Sequence, residues 1–326
     1  MTAAMPMSAP PPRRLAALAL VAPLLVLLAA CAREEPYLNY LAACAPPSPG
    51  DVSVTWMGVA GIHVADGESG FLVDPFVSQG NASLATVVSG APLHSDPWSV
   101  ARWSRRLSPA TAIFVTHSHY DHVLDVPAFA ERLSAKVLGG TTTGLVMEGH
   151  GLARLFELVE PGESRTVGGF EVDLIASLHG TGLPMGVPAP GDAKAPIKPG
   201  SAALAYKVGQ VFALRIRHPQ GTLFYLGSGG SVEKLFEGVE GPAAALMTLS
   251  ARSPTQAYIA HVVGQSGAGK VIPIHFDDLF RPPTAPPRVQ TIAMLDDFGD
   301  ELARQAPDVL FAPQPVGEPC AAFATP

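Results

Sequence analysis

The sequence lacks a long basic stretch, and it also lacks an internal repeat of fixed short period. Its 326 residues include 21 basic and 28 acidic side chains, which give a formal net charge of −7. Without a basic cluster to contact phosphates, a nucleic-acid partner is not expected. Without a repeat, a solenoid array is excluded. Apolar residues are plentiful: 48% of the chain is hydrophobic, enough for one large core or two small ones.

An apolar run at the N-terminus extends from Leu15 to Ala30, after two arginines and directly before Cys31. At 16 residues it is shorter than the roughly 20 that a membrane-spanning helix needs, although such a helix is the alternative. A basic start, an apolar centre and small residues before a cleavage point are typical of a signal peptide. The segment resembles a bacterial lipoprotein signal, which implies that residues 1–30 are removed and that Cys31 is lipidated.

Export would determine where the mature chain lies, which charge it carries and whether its cysteines are oxidised. The mature chain would be held by its lipid to a bacterial membrane, facing the periplasm or the cell exterior. Removal of the two signal-peptide arginines changes the formal charge balance to −9. Only Cys44 and Cys320 would remain as thiols, and in an oxidising compartment they are predicted to form a disulfide. Two free thiols are the alternative, because the sequence does not show that the two ends of the chain meet.

The mature chain divides into three parts by composition. Residues 31–50 are charged and then proline-rich, which suits a tether between the lipid anchor and a folded body. The body is predicted over residues 51–312, followed by a C-terminal tail over residues 313–326. Its first part has β-like stretches and glycine turns, strand and helix patterns then alternate, and a second strand-rich half follows. The proline-rich residues 180–202 are too long for a simple connector, and form either a lid or a disordered insertion.

The strongest chemical signal is a cluster of histidines and an aspartate directly after the apolar run Ala112–Val115. That run is typical of a buried strand, and imidazole and carboxylate groups are the ligands that Zn²⁺ and related cations prefer. A solvated polar turn is the alternative, but it gives no reason to place three of the ten histidines together. The sequence therefore predicts a metal site that includes His117, His119, Asp121 and His122.

Three other apolar runs end in the same way, with a polar residue shortly after a predicted strand. The residues that follow these runs are His179, Ser228 and His275. Strand ends gathered at one edge of packed sheets bring such groups together. We therefore expect all four places in the sequence to contribute to one site.

The order of these residues resembles the metallo-β-lactamase superfamily over roughly residues 52–280. The resemblance implies an α/β (α+β) fold, the four-layer αββα sandwich. Within the superfamily, the Asp-Pro turn and the Ile-Pro-Ile-His ending are most similar to the branch of the ascorbate-6-phosphate lactonases and the N-acyl phosphatidylethanolamine phospholipase D type. The motifs that carry the resemblance are Gly58–Gly61, Leu72-Val73-Asp74-Pro75, the histidine cluster, His179 and Ile272-Pro273-Ile274-His275.

The resemblance also implies a ligand set for two divalent cations, zinc first and manganese or iron as alternatives. The chain departs from most hydrolases of the superfamily at Ser228, where a carboxylate usually bridges the two cations. Metallo-β-lactamases with an Asp-His-His second site also lack that carboxylate, so Ser228 is expected to hydrogen-bond the shared solvent instead. One cation would be held by His117, His119 and His179, and the other by Asp121, His122 and His275.

The chemistry implied is hydrolysis of an ester-like bond in a small or lipid-derived molecule by a metal-bound hydroxide, with phosphodiester or lactone substrates favoured. Asp121 would orient the hydroxide and pass its proton to the leaving group. Asp74 is expected either to accept a hydrogen bond from a ligand imidazole or only to cap its turn. Tyr120 and His94 are candidates for the substrate pocket. A β-lactamase and a non-catalytic metal-binding surface lipoprotein are the alternatives, and the sequence predicts no oligomeric state.

Overall fold

In the computed structural model of the chain, the described residues are 44–107, 109–181, 186–230, 236–237, 242–252, 254–282, 287–290 and 293–323. The predicted signal segment, Cys31 and the tether up to residue 43 lie outside them. Among the described residues, none of the helices combines the length and the apolar character that crossing a bilayer requires.

The first of two β-sheets has seven strands among the described residues, in the order β14-β1-β2-β3-β4-β5-β6. Strands β1 to β3 form an antiparallel meander, and β3 to β6 run parallel to one another. The turn from β1 to β2 requires Gly58, whose φ of 98° is costly for any other residue. The strands are β1 Ser53–Gly58, β2 Gly61–Ala65, β3 Gly70–Val73, β4 Ala112–Phe114, β5 Lys136–Gly139, β6 Phe156–Leu158 and, last in the chain, β14 Pro319–Ala321.

The second sheet also has seven strands in the described part of the chain, in the order β13-β12-β11-β10-β9-β8-β7. Strands β7 to β10 are antiparallel neighbours, and β10 to β13 run parallel. Because parallel strands end at the same edge, each sheet gathers several carboxyl ends on one side. The strands are β7 Ser164–Val167, β8 Phe170–Ala176, β9 Phe212–His218, β10 Gly221–Leu226, β11 Ala243–Thr248, β12 Lys270–Ile274 and β13 Leu310–Phe311.

The main core lies between the two sheets. Phe71 of β3 and Phe170 of β8 belong to different sheets, and their rings meet edge to face with centroids 5.4 Å apart. The ring of Phe114 in β4 also meets that of Phe71 edge to face, with centroids 5.3 Å apart. All three side chains are almost fully buried, and each such burial stabilises the fold by roughly 1.5–3 kcal/mol. Apolar residues that alternate along strands of both sheets thus explain why the sheets pack face to face.

Helices cover the outer faces of the sheets, so the predicted αββα sandwich is confirmed. On the first sheet α2 packs against α4, and on the second α6 packs against α7 and β11. Helix α2 begins where Asp96 accepts hydrogen bonds from the backbone N–H groups of Trp98 and Ser99, with Pro97 in the first turn. The helices are α1 Leu84–Ser89, α2 Pro97–Ser104, α3 Tyr120–Val123, α4 Val126–Leu133, α5 Thr141–Gly149, α6 Thr255–Ser266 and α7 Leu295–Gln305.

The two ends of the described chain meet at the edge of the first sheet. Strand β14 pairs with β1, although it lies beyond residue 312, the predicted end of the folded body. The predicted tail therefore contributes a strand to the sheet, because the edge of β1 offers unpaired backbone groups that β14 satisfies. The disulfide between Cys44 and Cys320, predicted from the sequence, is present in the structure with Cα atoms 5.1 Å apart.

Candidate metal centre

The ends of three strands deliver the predicted ligands to one edge of the sandwich. His117 and His119 follow β4, and the short helix α3 that starts after His119 carries Asp121 and His122. The other two ligands come from the second sheet. His179 follows β8 and forms an isolated bridge with Gly229, and His275 directly follows β12.

The first group consists of His117, His119 and His179. Their ring centroids lie 4.8 Å apart for His117 and His119, 5.1 Å apart for His117 and His179, and 4.8 Å apart for His119 and His179. One potential ligand atom from each residue lies within 4.8 Å of the other two. The spacing matches three imidazoles arranged around one point.

The second group consists of Asp121, His122 and His275, whose potential ligand atoms also lie within 4.8 Å of one another. Oδ2 of Asp121 is 3.2 Å from Nε2 of His275. The ring of His122 is only 3.8 Å, centroid to centroid, from that of His117 in the first group, so the two groups are adjacent. His275 has a φ of 55°, and its backbone N–H donates to the carbonyl of Val59 over 2.7 Å, which holds this unusual conformation.

Three of the histidines each donate one ring N–H to an acceptor outside the groups. Nε2 of His119 donates to the Pro188 carbonyl over 2.8 Å, and Nδ1 of His179 donates to the Gly180 carbonyl over 2.8 Å. Nδ1 of His122 donates to Oδ2 of the buried Asp74 over 3.0 Å. Because carbonyl and carboxylate oxygens only accept, each of these nitrogens carries the ring proton. In the neutral ring the other nitrogen is then the lone pair that can bind a cation.

Burial and neighbouring charge set the protonation of the histidines. Burial, followed by the neighbouring imidazoles, lowers the pKa of His117 well below its ordinary value, and burial also lowers that of His179. Burial lowers the pKa of His119 to about 4. The first group is therefore neutral at pH 7, which is the state that metal binding requires.

Asp121 and His122 differ from the first group because opposite charges outweigh burial. Burial opposes ionisation of Asp121, but the hydrogen bond with His275 and the nearby imidazoles hold its pKa well below the ordinary value. Burial likewise lowers the pKa of His122, but the Asp74 carboxylate and its hydrogen bond raise it above the ordinary value. Asp121 therefore supplies an ionised carboxylate to the second group, a ligand suited to a divalent cation.

Two buried nitrogen atoms test whether these residues fit a metal. Nε2 of His117 and Nδ1 of His275 are buried and have no hydrogen-bond partner among the described residues. A buried, unpaired polar atom costs about 1–3 kcal/mol, so such atoms need an explanation. A cation bound by the first group would satisfy Nε2 of His117. The donor set of five imidazoles and one carboxylate fits zinc, and it also suits iron or manganese.

A family model for the beta-lactamase superfamily domain matches residues 70–301, a span that includes all six candidate ligands. The chain belongs to this superfamily. A UPF0173 metal-dependent hydrolase of Rhizobium etli is 30% identical to it over 128 residues, which are 39% of this chain and 48% of that protein. The chain therefore spans about half the length of this curated relative.

Two solved structures share the superfamily fold with the chain. Igni18, a metallo hydrolase from the archaeon Ignicoccus hospitalis, has a TM-score of 0.52 and 14% identity, and the match covers 82% of this chain and 97% of Igni18. An isothiocyanate hydrolase from Delia radicum gut bacteria has a TM-score of 0.51 and 14% identity, over 83% of this chain and 100% of that protein. At these identities the likeness shows the fold alone.

In this β-lactamase superfamily member, Asp74 lies beneath the histidines with a fully buried carboxylate. Besides His122, it accepts hydrogen bonds from the backbone N–H of Thr116 over 2.7 Å, from the Thr116 hydroxyl and from the Tyr225 hydroxyl over 2.9 Å. A Cβ atom on Gly227 would lie 3.1 Å from Oδ2 of Asp74 and 2.7 Å from the Tyr225 ring. Glycine at position 227 therefore lets β10 pass close to this network.

The other predicted site residues lie around the two groups. The Ser228 hydroxyl donates to the Leu178 carbonyl over 3.2 Å, and the Ser228 carbonyl accepts from the Gly180 N–H over 2.7 Å, so Ser228 ties β10 to the segment that carries His179. We expected its hydroxyl to face shared solvent instead. Tyr120 packs edge to face on Phe76, with centroids 6.1 Å apart. His94 is exposed and lies beside Gly200, and no contact with a candidate ligand is observed in the described residues.

Several supporting residues were missed by the sequence analysis. Asp125 accepts hydrogen bonds from the N–H groups of Val77 and Ser78, which ties α4 to the loop after β3. Asp277, two residues after His275, accepts from the Val59 N–H over 2.9 Å. Both carboxylates are buried, and burial raises the pKa of each. Their distance in sequence from their partners left no local signal for either contact.

Proposed function

We propose that the chain is a metal-dependent hydrolase that cleaves an ester-like bond, with a phosphodiester or a lactone as substrate and two divalent cations, zinc first, as cofactors. The observation that carries the proposal is the arrangement of ring nitrogens. His119, His122 and His179 each donate one N–H outward, which orients the second nitrogen for a ligand. Metal-ligating histidines almost always donate their other ring N–H in this way.

The two groups would hold the cations separately, His117, His119 and His179 on one side and Asp121, His122 and His275 on the other. Bound divalent cations supply Lewis-acid chemistry, since they acidify water and polarise the bond under attack. The protein supplies a carboxylate at this place: Oδ2 of Asp121 faces His275, and Asp121 would orient the attacking water and take up the proton that it releases. From there the proton can pass to the leaving group.

We also propose that the protein is exported and anchored by a lipid on Cys31, facing the periplasm or the cell exterior. The disulfide between Cys44 and Cys320 supports this location, because disulfides persist in oxidising compartments. Mass spectrometry of the N-terminal peptide tests it directly. An acylated peptide beginning at Cys31 is expected, and a mature chain that retains residues 1–30 would contradict the proposal.

A β-lactam is the second candidate substrate. The second group contains Asp121, His122 and His275, and position 228 is a serine rather than a carboxylate, a combination that the resemblance links to metallo-β-lactamases. Nitrocefin turnover separates this candidate from the favoured one. Turnover of nitrocefin without turnover of bis-p-nitrophenyl phosphate or a lactone would reverse our ranking.

Metal stoichiometry of the full chain, purified without chelator, tests the proposal first. We expect two cations per chain, with His179→Ala and His275→Ala each losing one and lowering turnover of the phosphodiester or lactone at least about 10-fold. His218→Gln is the matched control, because His218 ends β9 at the hairpin opposite the candidate centre. One cation or none, unaffected by His275→Ala and without turnover, would favour the non-catalytic lipoprotein.

A further inference from the structure

Helix α2 carries an unusually exposed tryptophan. Trp98 is 83% exposed, whereas Trp56 and Trp103 are 0% and 1% exposed. These three are the only tryptophans in the chain. Exposure of so large an apolar ring to water is unfavourable. Its apolar body and polar N–H suit the interface between a membrane and water. The exposure of Trp98 therefore suggests a membrane surface as its partner.

Two arginines share the exposed face of α2 with Trp98. Arg102 and Arg105 follow Trp98 at intervals of four and three residues, which places all three side chains on one side of the helix. Both arginines are exposed, while Val100 of the same helix points into the core. A basic face with one large aromatic residue is typical of a helix that lies on anionic lipid.

Acidic neighbours offset part of the positive charge of this face. The carboxylate of Asp96 accepts from two backbone N–H groups at the start of α2, and its negative charge also acts on Arg102. Helix α4, which packs against α2, exposes Glu131 and Arg132, whose opposite charges offset each other. Arg106 adds a third exposed arginine to this face, and Glu318 is the exposed acidic residue after Gly317 at that end. The balance of this face is positive, although the mature chain as a whole carries a formal −9.

The position of α2 brings this face close to the N-terminal chain. Nη2 of Arg106 donates to the carbonyl of Gly317 over 2.7 Å, and Gly317 lies three positions before Cys320, the disulfide partner of Cys44. Cys44 is only 13 positions after Cys31, where the apolar run ends. Even an unstructured chain of that length spans only roughly 20 Å on average. A membrane that holds the N-terminal segment therefore lies within reach of α2.

We propose that the α2 face, defined as Trp98, Arg102 and Arg105 together with Arg106, rests on the surface of an anionic lipid bilayer. Trp98 enters the headgroup region, and the arginines contact lipid phosphates. The body is then held against the membrane along one side, in addition to its N-terminal attachment. This inference rests on the proposed attachment at Cys31, but it uses no residue of the candidate metal centre.

Tryptophan quenching in vesicles tests the α2 face. The full chain is reconstituted in vesicles of phosphatidylcholine and phosphatidylglycerol that contain brominated phosphatidylcholine, which quenches only tryptophans in contact with lipid. We expect the part of the emission that Trp98→Phe removes to fall by about half or more. Arg102→Gln with Arg105→Gln, or 1 M salt, should weaken this quenching because the attraction to anionic lipid is electrostatic.

The matched control places a tryptophan on the opposite edge of the first sheet. Leu158 is 47% exposed and lies in β6, at the other end of the sheet from β14. In the Trp98→Phe background, Leu158→Trp is expected to remain unquenched. In a chain that has joined the vesicles, absence of Trp98 quenching or equal quenching of the control would overturn the α2 proposal alone. Failure of the chain to join the vesicles would overturn the N-terminal attachment together with it. A blue shift of Trp98 emission that grows with protein concentration in lipid-free detergent would overturn it in favour of self-association.

Discussion

The carboxylate of Asp74 holds the imidazole of His122, with Oδ2 and Nδ1 3.0 Å apart and both side chains buried. The two residues are 48 positions apart in the sequence, one after β3 and the other in α3. Asp74 itself has a φ of 45°, a conformation that an aspartate or asparagine tolerates better than most residues. A single carboxylate therefore fixes the ring orientation of a candidate metal ligand.

Asp74→Asn tests this relationship. Asparagine can keep the backbone conformation, but it replaces one acceptor oxygen with an NH₂ group that faces donors from His122, Thr116 or Tyr225. We expect the affinity for the second cation to fall about 10- to 100-fold, measured by competition with a chelator. Asp66→Asn, in the turn between β2 and β3, is the control and should leave the affinity unchanged. Equal affinities for the wild type and Asp74→Asn would show that Asp74 only stabilises its turn.

Tyr225→Phe tests the next layer of the network. The Tyr225 hydroxyl lies 2.9 Å from Oδ2 of Asp74 and 2.8 Å from the carbonyl of Ala60, and its single proton can be donated to only one of them at a time. Its loss should lower the free energy of unfolding by about 1–2 kcal/mol in urea titrations, because a buried acceptor loses a donor.

Tyr258→Phe is the matched control for Tyr225→Phe. The Tyr258 hydroxyl is buried and has no hydrogen-bond partner among the described residues, so its removal should be neutral or stabilising. A loss of stability as large in Tyr258→Phe as in Tyr225→Phe would mean that ring packing, and not the hydrogen bond to Asp74, accounts for the effect.

Gly227→Ala tests the close approach of β10 to the same network. The new Cβ would lie 2.7 Å from Cε1 of Tyr225 and 3.0 Å from Oγ1 of Thr116, so these side chains must shift. We expect a loss of about 1–3 kcal/mol in unfolding free energy, together with weaker metal binding. Gly264→Ala is the control: a Cβ there meets nothing within 4 Å, and the change inside α6 should stabilise by up to about 1 kcal/mol. Equal effects of the two substitutions would refute the crowding at position 227.

The sequence predicted the parts of the fold that have a local signal. The sequence itself shows three β-like stretches separated by glycine turns, which became β1 to β3, and it shows the histidine cluster after β4. The ligands follow predicted strands, and strand ends gathered at one edge of packed sheets bring such groups together. The convergence of His117 and His275 was therefore predicted from the sequence. By contrast, β14 was missed, because three residues after a proline-rich stretch give no periodic pattern.

Contacts between distant segments left no such signal. The carbonyl of Pro188 accepts from His119 across 69 positions, and any residue could supply that carbonyl. Ser228 was noticed for its place in a motif, but its bond to Leu178 depends on how β10 meets the end of β8. Sequence patterns therefore identified the candidate ligands, whereas the acceptors that orient them became visible only in three dimensions.

Because of Lys270, the free energy of unfolding is expected to change with pH in the alkaline range. Its side chain is 4% exposed, and Nζ donates over 3.0 Å to the carbonyl of Ala321, which joins β12 of the second sheet to β14 of the first. Burial lowers the pKa of Lys270 to about 8, whereas a lysine in the unfolded chain has a pKa of about 10.4. The charged form is therefore disfavoured in the folded state.

Between these two pKa values the unfolded chain binds more protons than the folded one, so the contribution of Lys270 to stability rises with pH. We expect the unfolding free energy of the wild type to increase from pH 8 to pH 10 by on the order of 1 kcal/mol relative to Lys270→Met, allowing for partial solvent screening. Parallel urea titrations at several pH values measure the difference. Lys136→Met removes an exposed lysine of β5 and should leave the pH profile unchanged. If the wild type and Lys270→Met follow the same profile, the ammonium is solvated and its burial carries no penalty.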